Sequence, residues 1–255
     1  RNAGQGLVMA PPELVAVLQR AAELSRLSEG AFDITVGAYH GWSFDPQDAR
    51  MPAPEDLRRE RRLVDFRDVL IHPETGQAGL SRPGMRVDLG GVAKLPILQA
   101  GLRVLEQHGL RHAMVNGGGD VLTRGQLLGQ DWRVGIRDPR APERLIGTVQ
   151  VRDACVASSG DYERCFLRNG RRYHHVLDPR TGWPTEGVHG VALLARNVDA
   201  VNGWGTALMV RGPAQAPAWH AQHPEVEVMV AHADGKRWCS PGMTASLKPA
   251  PKNQG

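Results

Sequence analysis

Long apolar runs are missing from this chain, and so are the cysteine spacings of a metal site. No stretch approaches the length that an apolar helix needs to cross a bilayer, which excludes a span of that kind. The cysteines, Cys155, Cys165 and Cys239, are odd in number and match no zinc motif. A complete disulfide framework is therefore excluded, and buried thiols are the default reading. Aromatic residues make up only 5% of the chain and nowhere alternate with a basic stripe, so the formal charge of +4 is read as solvated faces, clustered at residues 58–67 and 164–172. Nucleic acid is not an expected partner. No internal repeat and no signal segment is present, and the chain opens on Arg1-Asn2-Ala3-Gly4, which reads as a trimmed or matured protein whose natural start is absent.

Glycine and proline, by contrast, are plentiful, at 30 and 18 of 255 residues, so many loops are expected. That length can bury a substantial core, as one compact domain or as two intimate subdomains. Over residues 12–27 the apolar positions Leu14, Val17, Leu18, Ala21, Leu24 and Leu27 predict one stripe of an amphipathic helix, ended by Gly30. Residues 32–36 read as a strand with Asp33 embedded, 46–60 as a surface loop leading to a short helix, and 68–89 as a hairpin turning at Pro-Glu-Thr-Gly. Met85-Arg86-Val87 reads as a strand ending at Asp88. Ile97, Leu98, Gly101, Leu102, Val104 and Leu105 predict a helix starting near Leu95.

The second half changes character. "HAMVNGGGDVLTRG", "DWRVGIRD", "GTVQVRD", "ACVASSGDY", "GVALLARN" and "EVEVMVAH" are short strand candidates, with helices over 95–108 and 198–210. The pattern is a mixed α+β fold. From Thr244 onward the Lys- and Pro-rich composition suggests a mobile tail, residues 244–255.

Polar residues gather around glycines at five places. "VDLGGVAK" sets Asp88, Gly90, Gly91 and Lys94 before a helix N-terminus, either a phosphate site or an ordinary strand-to-helix turn. "VNGGGD" offers Asn116, Gly118 and Asp120 as a ligand-facing backbone or a tight turn, and "SSGDYER" offers Ser158, Ser159, Asp161 and Tyr162 as a binding group or a helix cap. In "YHHVLDPRTGWP" the strand alternation puts Tyr173, His175 and Leu177 on one side, so His175 is either structural or a proton acceptor near neutral pH. In "DAVNGWGTALMV" Asn202 and Thr206 are four residues apart, which on one helix presents two oxygens a turn apart, for a metal or for packing. Gly203 and Gly205 weaken such a helix, which suggests that something passes close by.

Taken in order from residue 11 to residue 212, these stretches resemble the FAD:protein FMN transferase family, the ApbE-type flavin transferases formerly called thiamine biosynthesis lipoproteins. The stretches that carry the likeness are "GAFDITVG", "RPGMRVDLGGVAK", "AMVNGGGDVLTRG", "WRVGIRDPR", "VASSGDYER", "YHHVLDPRTGWP" and "TALMVRGP". The resemblance implies a mixed, largely antiparallel sheet with flanking helices, a single domain over 1–243 and a cleft for FAD between two halves. It also implies an enzyme that uses magnesium, moves FMN from FAD to a threonine hydroxyl of an acceptor protein and releases AMP.

Carried over by the same resemblance, Ala31, Phe32, Asp33, Asp88, Gly90, Lys94, Asn116, Gly118, Asp120, Ser159 and His175 contact FAD. The Gly91 carbonyl, Asn202 and Thr206 hold magnesium, and His175 is the base for the acceptor hydroxyl. The implied acceptor is a membrane-associated redox protein, and the implied location periplasmic or otherwise extracytoplasmic, with lipid anchorage through the absent N-terminus. Three departures stand out. Asn202 replaces the family's usual aspartate, Leu95-Pro96-Ile97 replaces Gly-Tyr-Ala after Lys94, and the family's amino-terminal segment is absent from this sequence. An alternative follows from the first: a non-transferring FAD-binding carrier or accessory protein, or an FAD pyrophosphatase.

Overall fold

The computed structural model describes residues 2–250. Its elements run β1 (Val8–Met9), α1 (Pro12–Leu27), α2 (Pro54–Glu60), β2 (Val69–His72), β3 (Gln77–Leu80), α3 (Lys94–Gln107), β4 (Ala113–Gly117), β5 (Asp120–Arg124), β6 (Trp132–Asp138), β7 (Ala141–Val151) and β8 (Cys155–Gly160). They continue through β9 (Cys165–Arg168), β10 (Arg171–His174), β11 (Val188–Ala195), α4 (Val198–Val201), α5 (Trp204–Arg211), α6 (Ala216–Gln222), β12 (Glu227–His232), β13 (Arg237–Cys239), α7 (Pro241–Ser246) and β14 (Lys248–Pro249). All strand pairs among the described residues are antiparallel. The fold is thus the mixed α+β arrangement that the sequence predicts. The chain divides into two compact units, Arg1–Ala93 with Glu163–Thr185, and Lys94–Tyr162 with Glu186–Gly255.

In the first unit, α1 follows Pro11 and Pro12, whose fixed φ suits a helix start, and it packs on β2. It stops where Gly30, at φ +77°, donates its N–H to the Ser25 carbonyl, a left-handed terminus that glycine adopts without strain. The buried face is Val15, Leu18, Ala21, Leu24 and Ser25, while Leu14 and Leu27 are exposed. The expected stripe is therefore rotated. Ser25 tolerates the interior because its hydroxyl donates to the Ala21 carbonyl at 2.8 Å. β2 and β3 form the expected hairpin around Gly76, and β1 adds to the free edge of β3.

Two expected strands of this unit are absent. Residues 34–38 instead form the 3₁₀ turn Ile34–Ala38, because the Asp33 side chain caps it by accepting the Thr35 N–H. Met85-Arg86-Val87 forms no strand and pairs with none among the described residues. That segment lies against Gly37, where a Cβ would fall 2.7 Å from the Val87 carbonyl carbon, so only glycine permits the approach.

The second unit stacks a six-stranded sheet, ordered β13-β12-β11-β8-β5-β4, on a three-stranded sheet, β14-β7-β6. Val121, Val134, Ile136, Val149, Val151, Val156, Ala192, Met229 and Met243 meet in the apolar layer between them. Helices cover the six-stranded sheet, α3 on β4 and β5, α5 on β8 and β11, α6 on β12. In α3 only Leu95 and Leu102 are fully buried; Ile97, Gly101 and Val104, expected in the same stripe, face outward. The helix carries apolar residues on more than one face, and periodicity alone does not say which face packs. The segment assigned to a tail from Thr244 continues α7 as far as Ser246, and β14 then pairs Lys248 with Thr148; residues 251–255 lie outside the described residues.

Candidate active site

In the first unit the candidate residues gather around two chain crossings. After α1, Phe32 is buried and its N–H donates to Ser28 Oγ. Asp33 is also buried, and both of its carboxylate oxygens are engaged. Oδ1 accepts from the Thr35 N–H (2.8 Å) and hydroxyl (2.6 Å), and Oδ2 accepts from the Phe66 N–H (2.9 Å). Burial raises this carboxyl above its ordinary value, against the pull of those hydrogen bonds. Asp33 thus shapes the loop that carries Ala31 and Phe32.

Asp88 joins the same loop from the other side, since its N–H donates to the Ile34 carbonyl at 2.7 Å. Its Oδ1 turns back to accept the Gly90 N–H at 2.7 Å, closing a turn in which Gly90 and Gly91 are exposed and Val92 is buried. Tyr39 and Trp42 tie this region to the later turn. The Tyr39 hydroxyl donates to the Pro179 carbonyl, and the Trp42 indole N–H donates to the Gly182 carbonyl.

His175 follows β10, half-buried, with Tyr173 and Leu177 on its side and His174 and Val176 buried on the other, as the alternation predicts. Its main-chain N–H donates to the Arg164 carbonyl at 3.2 Å, and ring Nδ1 lies 3.4 Å from the same oxygen. Burial first, and then the Arg164 guanidinium, push the imidazole down to about 4. The ring is neutral at physiological pH, the state a proton acceptor needs.

In the second unit β8 is the organiser. Gly118 and Gly119, both at positive φ, form the two-residue turn between β4 and β5, and Asn116 Oδ1 accepts the Gly119 N–H at 3.2 Å. Lys94, the first residue of α3, reaches over this turn: a Cβ on Gly118 would lie 3.7 Å from Nζ. Its ammonium pairs with the buried Asp120 at 3.0 Å, and the other Asp120 oxygen accepts the Ser158 N–H of β8 at 2.8 Å. Next along β8, Ser159 meets α5, where a Cβ on Gly205 would sit 2.5 Å from Ser159 Oγ. The close passage anticipated at this glycine is the Ser159 side chain. Asp161 then accepts from His189 Nδ1 at 2.6 Å.

Asn202 and Thr206 do not share one helix. Asn202 ends α4 with extended backbone, Gly203 stands at φ +78°, and α5 begins at Trp204, with Thr206 in its first turn. The left-handed glycine breaks the helix that the spacing suggests. Asn202 is buried and Thr206 half-buried. Both offer neutral oxygens, and no cluster of three or more His, Cys, Asp or Glu side chains suited to a metal occurs among the described residues. Magnesium normally draws at least one carboxylate or phosphate into its shell, so this donor pair fits the ion only alongside substrate phosphates. The cysteines form no disulfide among the described residues, and burial drives the Cys155 thiol up to about 12, which leaves it inert.

The model of the ApbE family matches residues 1–230. The chain belongs to that family. A Treponema pallidum protein named FAD:protein FMN transferase is 33% identical across 97% of this chain and 73% of its own length. A Rhodobacter capsulatus protein of the same name is 34% identical across 93% of this chain and 46% of its own. The crystal structure of the ApbE protein from Thermotoga maritima matches with a TM-score of 0.87 at 27% identity, covering 95% of this chain and 80% of that one. Lys94, Asn116, Gly118, Asp120, Ser159, Asn202 and Thr206 belong to one unit, and Ala31, Phe32, Asp33, Asp88, Gly90, Gly91 and His175 to the other.

In the sequence Arg164 falls within the basic cluster 164–172, which reads as a solvated face. Its signal was the β9–β10 register, in which His174 pairs with Cys165, so that the next pair outward is His175 with Arg164.

Proposed function

We propose that this ApbE-family chain is an FAD:protein FMN transferase, moving FMN from FAD to a threonine hydroxyl of an acceptor protein with release of AMP. What carries the reading is the Treponema pallidum relative of that name, similar over nearly the whole chain. Asp88, Lys94, Asp120 and His175 supply the polar groups the chemistry calls for.

In the proposed step the acceptor oxygen bonds to the FMN-side phosphorus, and the bond from that phosphorus to the bridging oxygen breaks. The electron pair leaves on AMP. The hydroxyl proton passes to His175. Such phosphoryl transfers are limited by charge neutralisation and alignment more than by covalent chemistry. Lys94 and the main-chain N–H groups of the two glycine turns are suited to phosphate oxygens. Magnesium, when bound, neutralises phosphate charge, and Asn202 and Thr206 are the residues that would help to hold it. On this reading the acceptor is a membrane-associated redox protein and the site of action extracytoplasmic.

The test is incubation with FAD, magnesium and candidate acceptor domains. A fluorescent covalent adduct with stoichiometric AMP supports the reading; bound FAD without any adduct contradicts it. The buried, neutral Asn202 favours a second reading, an FAD-binding protein that either retains FAD or hydrolyses it to FMN and AMP, with water in place of the hydroxyl. That reading predicts AMP release independent of any acceptor, or none at all.

A further inference from the structure

Arg164 and His175 face each other just beyond the paired ends of β9 and β10. The Arg164 carbonyl receives the His175 main-chain N–H at 3.2 Å and lies 3.4 Å from ring Nδ1. A carbonyl has two lone pairs and no hydrogen, so it can accept both contacts and donate neither. In a neutral ring this puts the hydrogen on Nδ1 and leaves the lone pair on Nε2. The Arg164 side chain, exposed to solvent, extends to the turn at residues 88–90. A Cβ on Gly90 would lie 3.9 Å from Nη2 and 3.0 Å from Asp88 Oδ1. The charged and titratable groups around the imidazole are Arg164, Asp88 and, on the opposite side of the strand, His174; Arg164 and His174 disfavour its cation and Asp88 favours it.

We propose that Arg164 is a positioning residue for His175: its carbonyl selects the Nδ1–H form of the ring, and its guanidinium, which reaches the turn at residues 88–90, keeps Nε2 available as proton acceptor. Both contributions come from one residue and lie within one compact unit. The purpose rests on the transferase reading, whereas the geometry does not. A guanidinium rather than a carboxylate beside the base has a definite consequence. Histidines that act as bases are commonly oriented by an acid, which raises their affinity for the proton. Here the orienting group is a neutral carbonyl and the neighbouring charge is positive, so the ring stays unprotonated until it meets the acceptor hydroxyl.

The experiment is nitrogen NMR of the ring-labelled full chain without FAD, in the native protein and in Arg164→Gln and Arg164→Lys. The native protein is expected to show the Nδ1–H tautomer and a His175 midpoint of about 4. Arg164→Gln should raise that midpoint by about one unit, the effect of removing one nearby like charge, while Arg164→Lys keeps most of the native value. A parallel transfer assay should show a loss in kcat for Arg164→Gln at pH 4.5, where a midpoint raised by about one unit leaves most of the ring protonated, and little change at pH 8. A dominant Nε2–H tautomer in the native protein overturns the proposal without any variant having to fold. So does a midpoint unchanged in Arg164→Gln. If the midpoints move as expected but the native protein forms no adduct, the positioning relation stands and the transferase reading fails.

Discussion

Replacing Lys94 by methionine should destabilise the protein in a manner that depends on pH. Lys94 Nζ stands 3.0 Å from an Asp120 carboxylate whose side chain is only 9% exposed, while the lysine side chain is 38% exposed. Breaking a fully buried pair costs roughly 3–5 kcal/mol, because the remaining charge is stranded. Water reaches Lys94, so we expect about 1–3 kcal/mol here. Burial already raises the Asp120 carboxyl above its ordinary 3.8, opposed by the Ser158 N–H and by Lys94; without the lysine it rises further. The folded variant then holds a proton that the unfolded chain releases. Its stability is accordingly intact below the unfolded value and is lost as pH climbs from there through the folded value. The assay is urea denaturation followed by fluorescence of the buried Trp204 and Trp219 at pH 7.5 and pH 4.5. The penalty should shrink toward zero at the lower pH and should largely vanish when Asp120→Asn is added. An equal penalty at both pH values, unrelieved by Asp120→Asn, would refute the argument.

Asn202→Asp should increase magnesium affinity about tenfold or more in the presence of FAD, measured by calorimetry, because a carboxylate replaces an amide in an otherwise neutral donor pair. His175 at about 4 rather than the ordinary 6.5 is neutral well below pH 7, so transfer should show no inflection near pH 6.5. Its folded value is lowered, so its effect on stability is lost as pH falls through 6.5 toward 4, and His175→Asn should soften the acid transition seen by circular dichroism. Met243→Ala should cost about 2–5 kcal/mol in the same denaturation assay, since this fully buried side chain fills the layer between the two sheets.

Legibility from sequence followed the range of the interactions. α1, the β2–β3 hairpin and the β4–β5 glycine turn are signalled by caps, breakers and alternation within a few residues. The 3₁₀ turn at Ile34–Ala38 was hidden because its β-branched residues read as a strand, while the deciding hydrogen bonds come from Asp33 and, through its second oxygen, from distant Phe66. The break at Asn202-Gly203 was hidden because glycine inside a helical pattern looks the same whether it is tolerated or left-handed. Among the candidate residues, Asp88, Lys94, Asp120 and His175 stand out in the sequence by their polar and glycine-containing stretches. Arg164 does not, since its partnership with His175 exists only once the hairpin register is fixed.

On the proposed reading this chain joins FMN covalently to another protein. Mass spectrometry of an acceptor domain after incubation with the protein, FAD and magnesium tests it most directly. One threonine is expected to gain one FMN less one water, with one AMP released for each adduct, and His175→Asn is expected to abolish the gain. An unmodified acceptor, with FAD either intact or converted to free FMN and AMP, would contradict it.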